Sequence, residues 1–262
     1  MGAILLDPLA ALGRMVIAAC HAVGNLGLFA LEAISHLLRP PFYGRLFWRA
    51  FVEIAWFSLP VVALTAVFTG MVLALQSYTG FARFNAQSAI ASVVVISLVR
   101  ELGPVLAALM VAGRIGASFA AEIGTMRVTD QIDALTTLST NPMKYLVAPR
   151  ILAAVIALPL LVLVADVLGV MGGWLIGTQK LGFVSGAYLK STFDYLETGD
   201  VVSGLVKAAV FGFIIALMGT WCGYNSKGGA QGVGGATTKA VVASSILILA
   251  LDYILTEIFF AQ

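Results

Sequence analysis

The sequence predicts an all-α integral membrane protein, and three observations predict it. Hydrophobic residues make up 60% of the 262 and charged residues only 11%, an apolar share that soluble domains do not reach. Mean hydropathy over the chain is +1.00. The apolar residues are also gathered into stretches of the length, roughly 20 residues, that a helix needs to cross the hydrocarbon core. The bilayer is this chain's solvent.

The elements follow in chain order. Leu5, Leu6, Leu9, Leu12, Val16 and Ile17 recur at helical spacing while Arg14, His21, Asn25 and Glu32 interrupt them. This reads as an amphipathic helix lying in the membrane interface rather than a full span. Arg39, Pro40 and Pro41 end it, so residues 1–45 form an N-terminal interfacial region. Five transmembrane helices follow at about 52–79, 88–111, 147–179, 201–223 and 239–260, the first and third long enough to tilt or protrude. Tyr43, Trp48 and Trp56 suit the headgroup level as aromatic anchors. Gly103-Pro104 interrupts the backbone ladder of the second span and sets a kink there. Gly169, Gly173 and Gly177 on the third span, and Ala208, Gly212 and Ala216 on the fourth, have the spacing that lets helices approach closely. Contacts within one subunit are the first reading of those faces, and a homodimer seam the second.

Between the second and third spans lies an island of charge, from Arg100 to Arg150. Small residues dominate Val105 to Ala121, and a short amphipathic segment follows. Thr129 reads as its N-cap, Asp130 and Asp133 lie in its first turn, and Asn141-Pro142 stops it. Val128, Ile132, Leu135 and Leu138 give it one apolar face. It is too short to span, and its two readings are an interfacial connector or a helix that docks into a groove on a cytoplasmic partner.

Lys and Arg counts in the short loops orient the chain. An N-terminus inside places Arg14, Arg39, Arg45, Arg49, Arg114, Arg127, Lys144, Arg150, Lys227 and Lys239 on the cytoplasmic side, against Arg83, Lys180 and Lys190 outside. The C-terminus is then outside, and the outer loop around Phe193, Asp194, Glu197 and Asp200 is mildly acidic. A charge at a helix centre costs about 2.5–3.5 kcal/mol on insertion scales unless it is paired or wetted. Arg100 and Glu101 on the second span, Lys207 on the fourth, and Asp252 and Glu257 on the fifth are therefore expected to neutralise one another. They either fix packing only or form a network that changes as a cavity opens. Arg100 and Glu101 are adjacent, hence about 100° apart on a helix, and serve different partners.

Several functions are excluded or weakened. A net charge of +2 gives no case for nucleic acid, and the N-terminus lacks a cleavable signal pattern. Cys20 and Cys222 lie in apolar surroundings without ligand spacing and read as packing residues. No Gly-x-x-x-x-Gly-Lys-Ser/Thr occurs, so the glycine-rich 228–235 stretch is a flexible cytoplasmic turn and not a nucleotide cradle.

The stretch LVRELGPVLAALMVAGRIGASFAAEIGTMRVTDQIDAL, followed by NPMKYLVAPR, resembles the signature region of the MlaE-type permeases, the membrane subunits of maintenance-of-lipid-asymmetry and Mce lipid transporters. FTGMVLALQSY at 68–78, LVKAAVFG at 205–212, NSKGGAQGVGGATTKAVV at 225–242 and LDYILT at 251–256 extend the likeness across residues 46–262 in matching order. The resemblance implies a homodimeric, non-catalytic permease in the bacterial inner membrane that moves phospholipid and maintains outer-membrane lipid asymmetry. ATP and Mg would be bound by separate cytoplasmic ABC ATPase subunits. These would dock on a coupling helix at about 122–140, with Glu122, Met126, Arg127, Asp130, Asp133 and Leu135. A periplasmic Mce-domain protein and a small STAS-type subunit are further implied partners. By the same resemblance a lipid-binding cavity at the dimer interface includes Val67, Leu75, Gln76 and Tyr78, and the family's intramembrane charges correspond to Arg100, Glu101, Lys207 and Asp252. Sterol or other hydrophobic-substrate import in an Mce-type system, an ion-coupled secondary transporter using Glu101, Asp252 and Lys207 as a relay, and a non-catalytic assembly scaffold stand as alternatives.

Overall fold

A computed structural model describes residues 2–37, 39–40, 42–84 and 86–260, and among them the ordered elements are helices. Helix α1 is Gly2–Leu37. The body is built from α2 (Gly44–Phe81), α3 (Ile90–Val128), α5 (Met143–Gln179), α7 (Thr198–Tyr224) and α8 (Gly229–Phe260). Two short helices, α4 (Gln131–Thr137) and α6 (Ser185–Tyr195), lie in the connections. Consecutive long helices run antiparallel, so α4 marks one end of the bundle and α6 the other.

Among the described residues six helices are long and apolar enough to cross a bilayer, one more than the five expected, and the addition is Gly13–Leu37 in α1. Its four polar interruptions are too few to offset the leucines and alanines around them. The helix touches the bundle near its C-terminal end. There Phe29 packs edge-on against Trp221 at 5.0 Å and Ala33 is buried. The side chains of Leu5, Leu6, Leu9 and Leu12, and Pro41, lie outside the described residues. Cys20, expected to pack, is exposed, and Cys222 is half-buried.

Backbone contact through small residues holds the spans together. A Cβ on Gly70 of α2 would lie 1.9 Å from the Gly169 carbonyl oxygen of α5, and one on Gly172 would lie 2.4 Å from Val67 O. Gly212 meets Ala154 O at 2.4 Å in the same sense, joining α7 to α5. Such approaches are open only to glycine, and they place the small-residue faces inside one subunit.

The second span outruns its expected end at residue 111 by more than four turns, as α3 continues to Val128. Two π segments, Leu98–Leu102 and Ala112–Gly116, are carried within it. The first sits just before Pro104, so the widened turn accommodates the proline in place of a break. The charge at Arg114 does not end the helix because its guanidinium donates to Glu53 O (3.0 Å) and Ser58 Oγ (2.8 Å) of α2.

The expected coupling helix at 122–140 is not one element. Glu122, Met126 and Arg127 belong to the last turns of α3, a tight elbow occupies Thr129 and Asp130, and α4 starts at Gln131. Thr129 is not an N-cap: its N–H and hydroxyl both bond back to Thr125 O, closing α3. Asp130 takes the left-handed conformation, φ 57°, that reverses the chain there, a position aspartate tolerates. The 228–235 stretch is likewise not a loose turn. Gly228 and Gly229 adopt positive φ (87° and 68°) and α8 begins at once, carrying Gly232, Gly234 and Gly235 in its first turns.

Candidate functional site

The intramembrane charges converge because their helices start or stop at the same end. Arg100 lies ten residues into α3, Lys207 nine residues into α7, and Asp252 eight residues before the end of α8. At 1.5 Å per residue all three sit about 12–15 Å below the α6 end, near the middle of a hydrocarbon core about 30 Å thick.

Lys207 is fully buried and is the hub. Its Nζ is 2.8 Å from Glu101 Oε2 and 3.1 Å from Asp252 Oδ1, and it donates to Thr256 Oγ1 at 2.7 Å and to the Arg100 carbonyl at 3.1 Å. The Thr256 hydroxyl in turn has two acceptors within reach of its one proton, Glu101 Oε1 at 3.0 Å and Asp252 O at 2.8 Å. Three helices are thereby tied at one point. A buried ion cluster repays desolvation only when its remaining lone pairs and protons are also bonded; Thr256 and the Arg100 carbonyl do this for Lys207 and Glu101, while Asp252 Oδ1 has the Lys207 ion pair but no hydrogen bond among the described residues.

Arg100 turns away from this hub, as its spacing from Glu101 requires. Its Nε donates to Asp200 Oδ1 at 2.6 Å, and its guanidinium stands 4.3 Å from the Phe260 ring centroid. Asp200 is buried, and its Oδ2 also accepts from the Glu197 N–H at 3.2 Å, closing the first turn of α7. The sequence reading leaves Asp200 in an outer acidic loop and does not single out Thr256. Asp200 is legible as a helix-start acid three residues after Glu197, but its pairing with Arg100 has no local signal. Glu257, expected in the network, is exposed on α8. Asp166 of α5 is a further buried acid, isolated in an apolar run of the sequence. Its Oδ1 has no hydrogen-bond partner among the described residues and lies where a Cβ on Gly103 would come within 2.0 Å.

The elbow at the other end presents a second surface. Ile132 is fully buried and pins α4, while Asp130 and Asp133 are exposed and Leu135 is half-buried. Arg127 reaches across the elbow to Asp133 Oδ1 at 2.8 Å. Glu122 is 2.8 Å from Arg150 at the start of α5. Beside α4 lies an open depression of about 670 Å³ whose wall includes Glu122, Met126, Thr125 and Gln131.

Val67, Leu75, Gln76 and Tyr78, expected at a dimer interface, lie on α2 in different surroundings. Val67 lays its backbone on Gly172, Leu75 is half-buried, Gln76 is exposed, and Tyr78 packs edge-on against Phe183 at 6.1 Å.

The comparisons agree with this architecture. The family model described as Permease MlaE matches residues 47–258. The chain is 60% identical over 256 residues to a probable ABC transporter permease protein of Rickettsia felis, covering 98% of this chain and 99% of that one. It is 34% identical over 253 residues to the intermembrane phospholipid transport system permease protein MlaE of Haemophilus influenzae, covering 96% and 97%. It is 38% identical over 203 residues to the chloroplastic protein TRIGALACTOSYLDIACYLGLYCEROL 1 of Arabidopsis thaliana, covering 78% of this chain and 58% of that one.

Proposed function

The chain belongs to the MlaE permease family, and on that premise we propose that it is the membrane subunit of an ABC transporter moving phospholipid between the bacterial inner membrane and a periplasmic lipid carrier, so maintaining outer-membrane lipid asymmetry. Two copies form the permease, with the N-terminus cytoplasmic and the C-terminus periplasmic. Cytoplasmic ATPase subunits bind ATP and Mg and grip the α3–α4 elbow. A periplasmic Mce-domain protein exchanges lipid with the permease, and a small STAS-type subunit attends the ATPase.

The observation that carries this reading is the elbow. A seven-residue helix pinned by one buried side chain, with exposed carboxylates and an open depression beside it, is built to be held from outside the membrane. It continues from α3, the helix that holds Arg100 and Glu101, so a push at the elbow is delivered along one rod to the charge cluster. Arg127, Lys144, Arg150 and Lys227 gather at the elbow end, which favours the cytoplasmic side for it.

Purification of the tagged chain from its native membrane tests the proposal. A co-purifying ATPase with a Walker motif, and ATP-dependent transfer of labelled phospholipid by the reconstituted complex, are the expected results. A chain that purifies alone and drives ion-coupled uptake in vesicles overturns it.

A further inference from the structure

An apolar groove in the subunit lies away from both the charge cluster and Val67, Leu75, Gln76 and Tyr78. It has a volume of about 440 Å³ and is walled by α3, α5, α6 and the start of α7. On α5 its wall runs from Leu163 to Trp174, eleven residues or about 16 Å of helix, which is the depth of one leaflet of a hydrocarbon core about 30 Å thick.

We infer that this cavity is a lipid site that holds a single acyl chain of a phospholipid from the leaflet on the α6 side. The dimensions choose the occupant. A volume of about 440 Å³ spread over about 16 Å leaves a cross-section of about 27 Å², enough for one hydrocarbon chain. The chemistry agrees. Of the two polar residues in the wall, the Thr192 hydroxyl donates to Tyr188 O, and Asp166 points its Oδ1 toward Gly103, where it has no hydrogen-bond partner among the described residues. Leu163, Val167 and Phe193 are exposed at the mouth, where bilayer lipid would enter. At the upper end Trp174 donates to Ser185 Oγ at 3.2 Å, and Lys190 of α6 is exposed, which suits the level of a phosphate headgroup.

Helix α6 forms the outer wall and is seated rather than loose. Tyr188 is buried with its ring 2.8 Å from where a Cβ on Gly177 would stand, and Phe183 packs on it at 6.1 Å. The inner wall includes Val99 and Val201, the chain neighbours of Arg100 and Asp200, so the bound tail rests on the back of that ion pair. The site requires only that the chain be embedded in a bilayer, and it goes beyond the transport reading.

The test uses the full chain carrying a photoreactive benzoylphenylalanine at Phe193, reconstituted into vesicles of phosphatidylethanolamine and phosphatidylglycerol. A phospholipid adduct is expected on illumination. It is lost when the cavity is filled by Val167→Trp or, from the opposite wall, by Leu189→Trp, and kept with Leu160→Trp, an exposed position on α5 outside the cavity. Thermal melts of each variant separate a filled site from a misfolded chain. An adduct that survives both filling variants in folded protein reports bulk bilayer only and overturns the inference. A cross-link to a partner's transmembrane segment instead of lipid overturns it as well. Neither result bears on ATPase recruitment, which the co-purification reads separately.

Discussion

Lys207 Nζ donates to the backbone carbonyl of Arg100, whose α-helical donor would have been the N–H that Pro104 lacks. A side chain from α7 therefore repairs the ladder of α3 at the same point where it neutralises Glu101 and Asp252. The π segment, the proline and the buried lysine are one arrangement: the widened turn exposes the carbonyl, and the ammonium satisfies it.

Replacing that lysine removes the repair and the neutralisation together. Lys207→Met is expected to destabilise the detergent-solubilised protein by about 1–3 kcal/mol, the cost of leaving the half-buried carboxylates of Glu101 and Asp252 without their cation. Adding Glu101→Gln to it should recover part of the loss. A melting temperature unchanged by Lys207→Met would show that the cluster contributes nothing to folding.

Gly70 offers a packing test with opposite signs at two sites. Gly70→Ala drives a methyl group into the Gly169 carbonyl and is expected to cost about 1–3 kcal/mol as α2 and α5 separate. Gly113→Ala has no atom within 4 Å of the new Cβ. It should be neutral or stabilising by about 0.5–1 kcal/mol through backbone entropy. Denaturation midpoints of the two variants check the contrast.

At the elbow, backbone and charge can be separated. Asp130→Gly keeps the left-handed turn and should leave stability unchanged, whereas Asp130→Val strains it by about 1–2 kcal/mol. The Arg127–Asp133 pair is exposed and worth only about 0–1 kcal/mol. Asp130→Lys with Asp133→Lys should therefore release the ATPase from a permease that remains folded, read as ATPase yield in a pull-down against the permease melting temperature.

Tyr188 sets an alkaline limit on the seat of α6. Burial pushes its phenol up to about 12 from 10.0, so the folded state favours the protonated form. Its contribution is complete below pH about 10 and is lost as the pH rises toward about 12. Because the buried hydroxyl has no partner among the described residues, Tyr188→Phe should hold or raise stability and abolish that loss. Unfolding followed against pH for both proteins measures it.

Most of the spans and the elbow segment are legible from hydropathy, because the cost of placing a residue in hydrocarbon is local to that residue. Arg114 and the glycines of 228–235 show where such reading stops. Both look like ends of helices, yet Arg114 lies inside α3 because it finds Ser58 and Glu53 O on a neighbouring helix, and Gly232, Gly234 and Gly235 lie inside α8 because Gly228–Gly229 compress the turn into two residues. Thr129 has the composition of an N-cap, yet its hydroxyl closes the preceding helix instead.

From the sequence alone come the membrane-embedded class, the approximate positions of five of the long helices, the two unlike residues Arg100 and Glu101, and the presence of Lys207 and Asp252 in apolar surroundings. Only the tertiary structure decided that Asp200 pairs with Arg100, that Thr256 completes the Lys207 hub, and that Glu257 stands outside it. The reason is geometric. Pairing depends on which residues lie at equal depth from a shared end of antiparallel helices and on which face each presents, and neither is a property of any one segment.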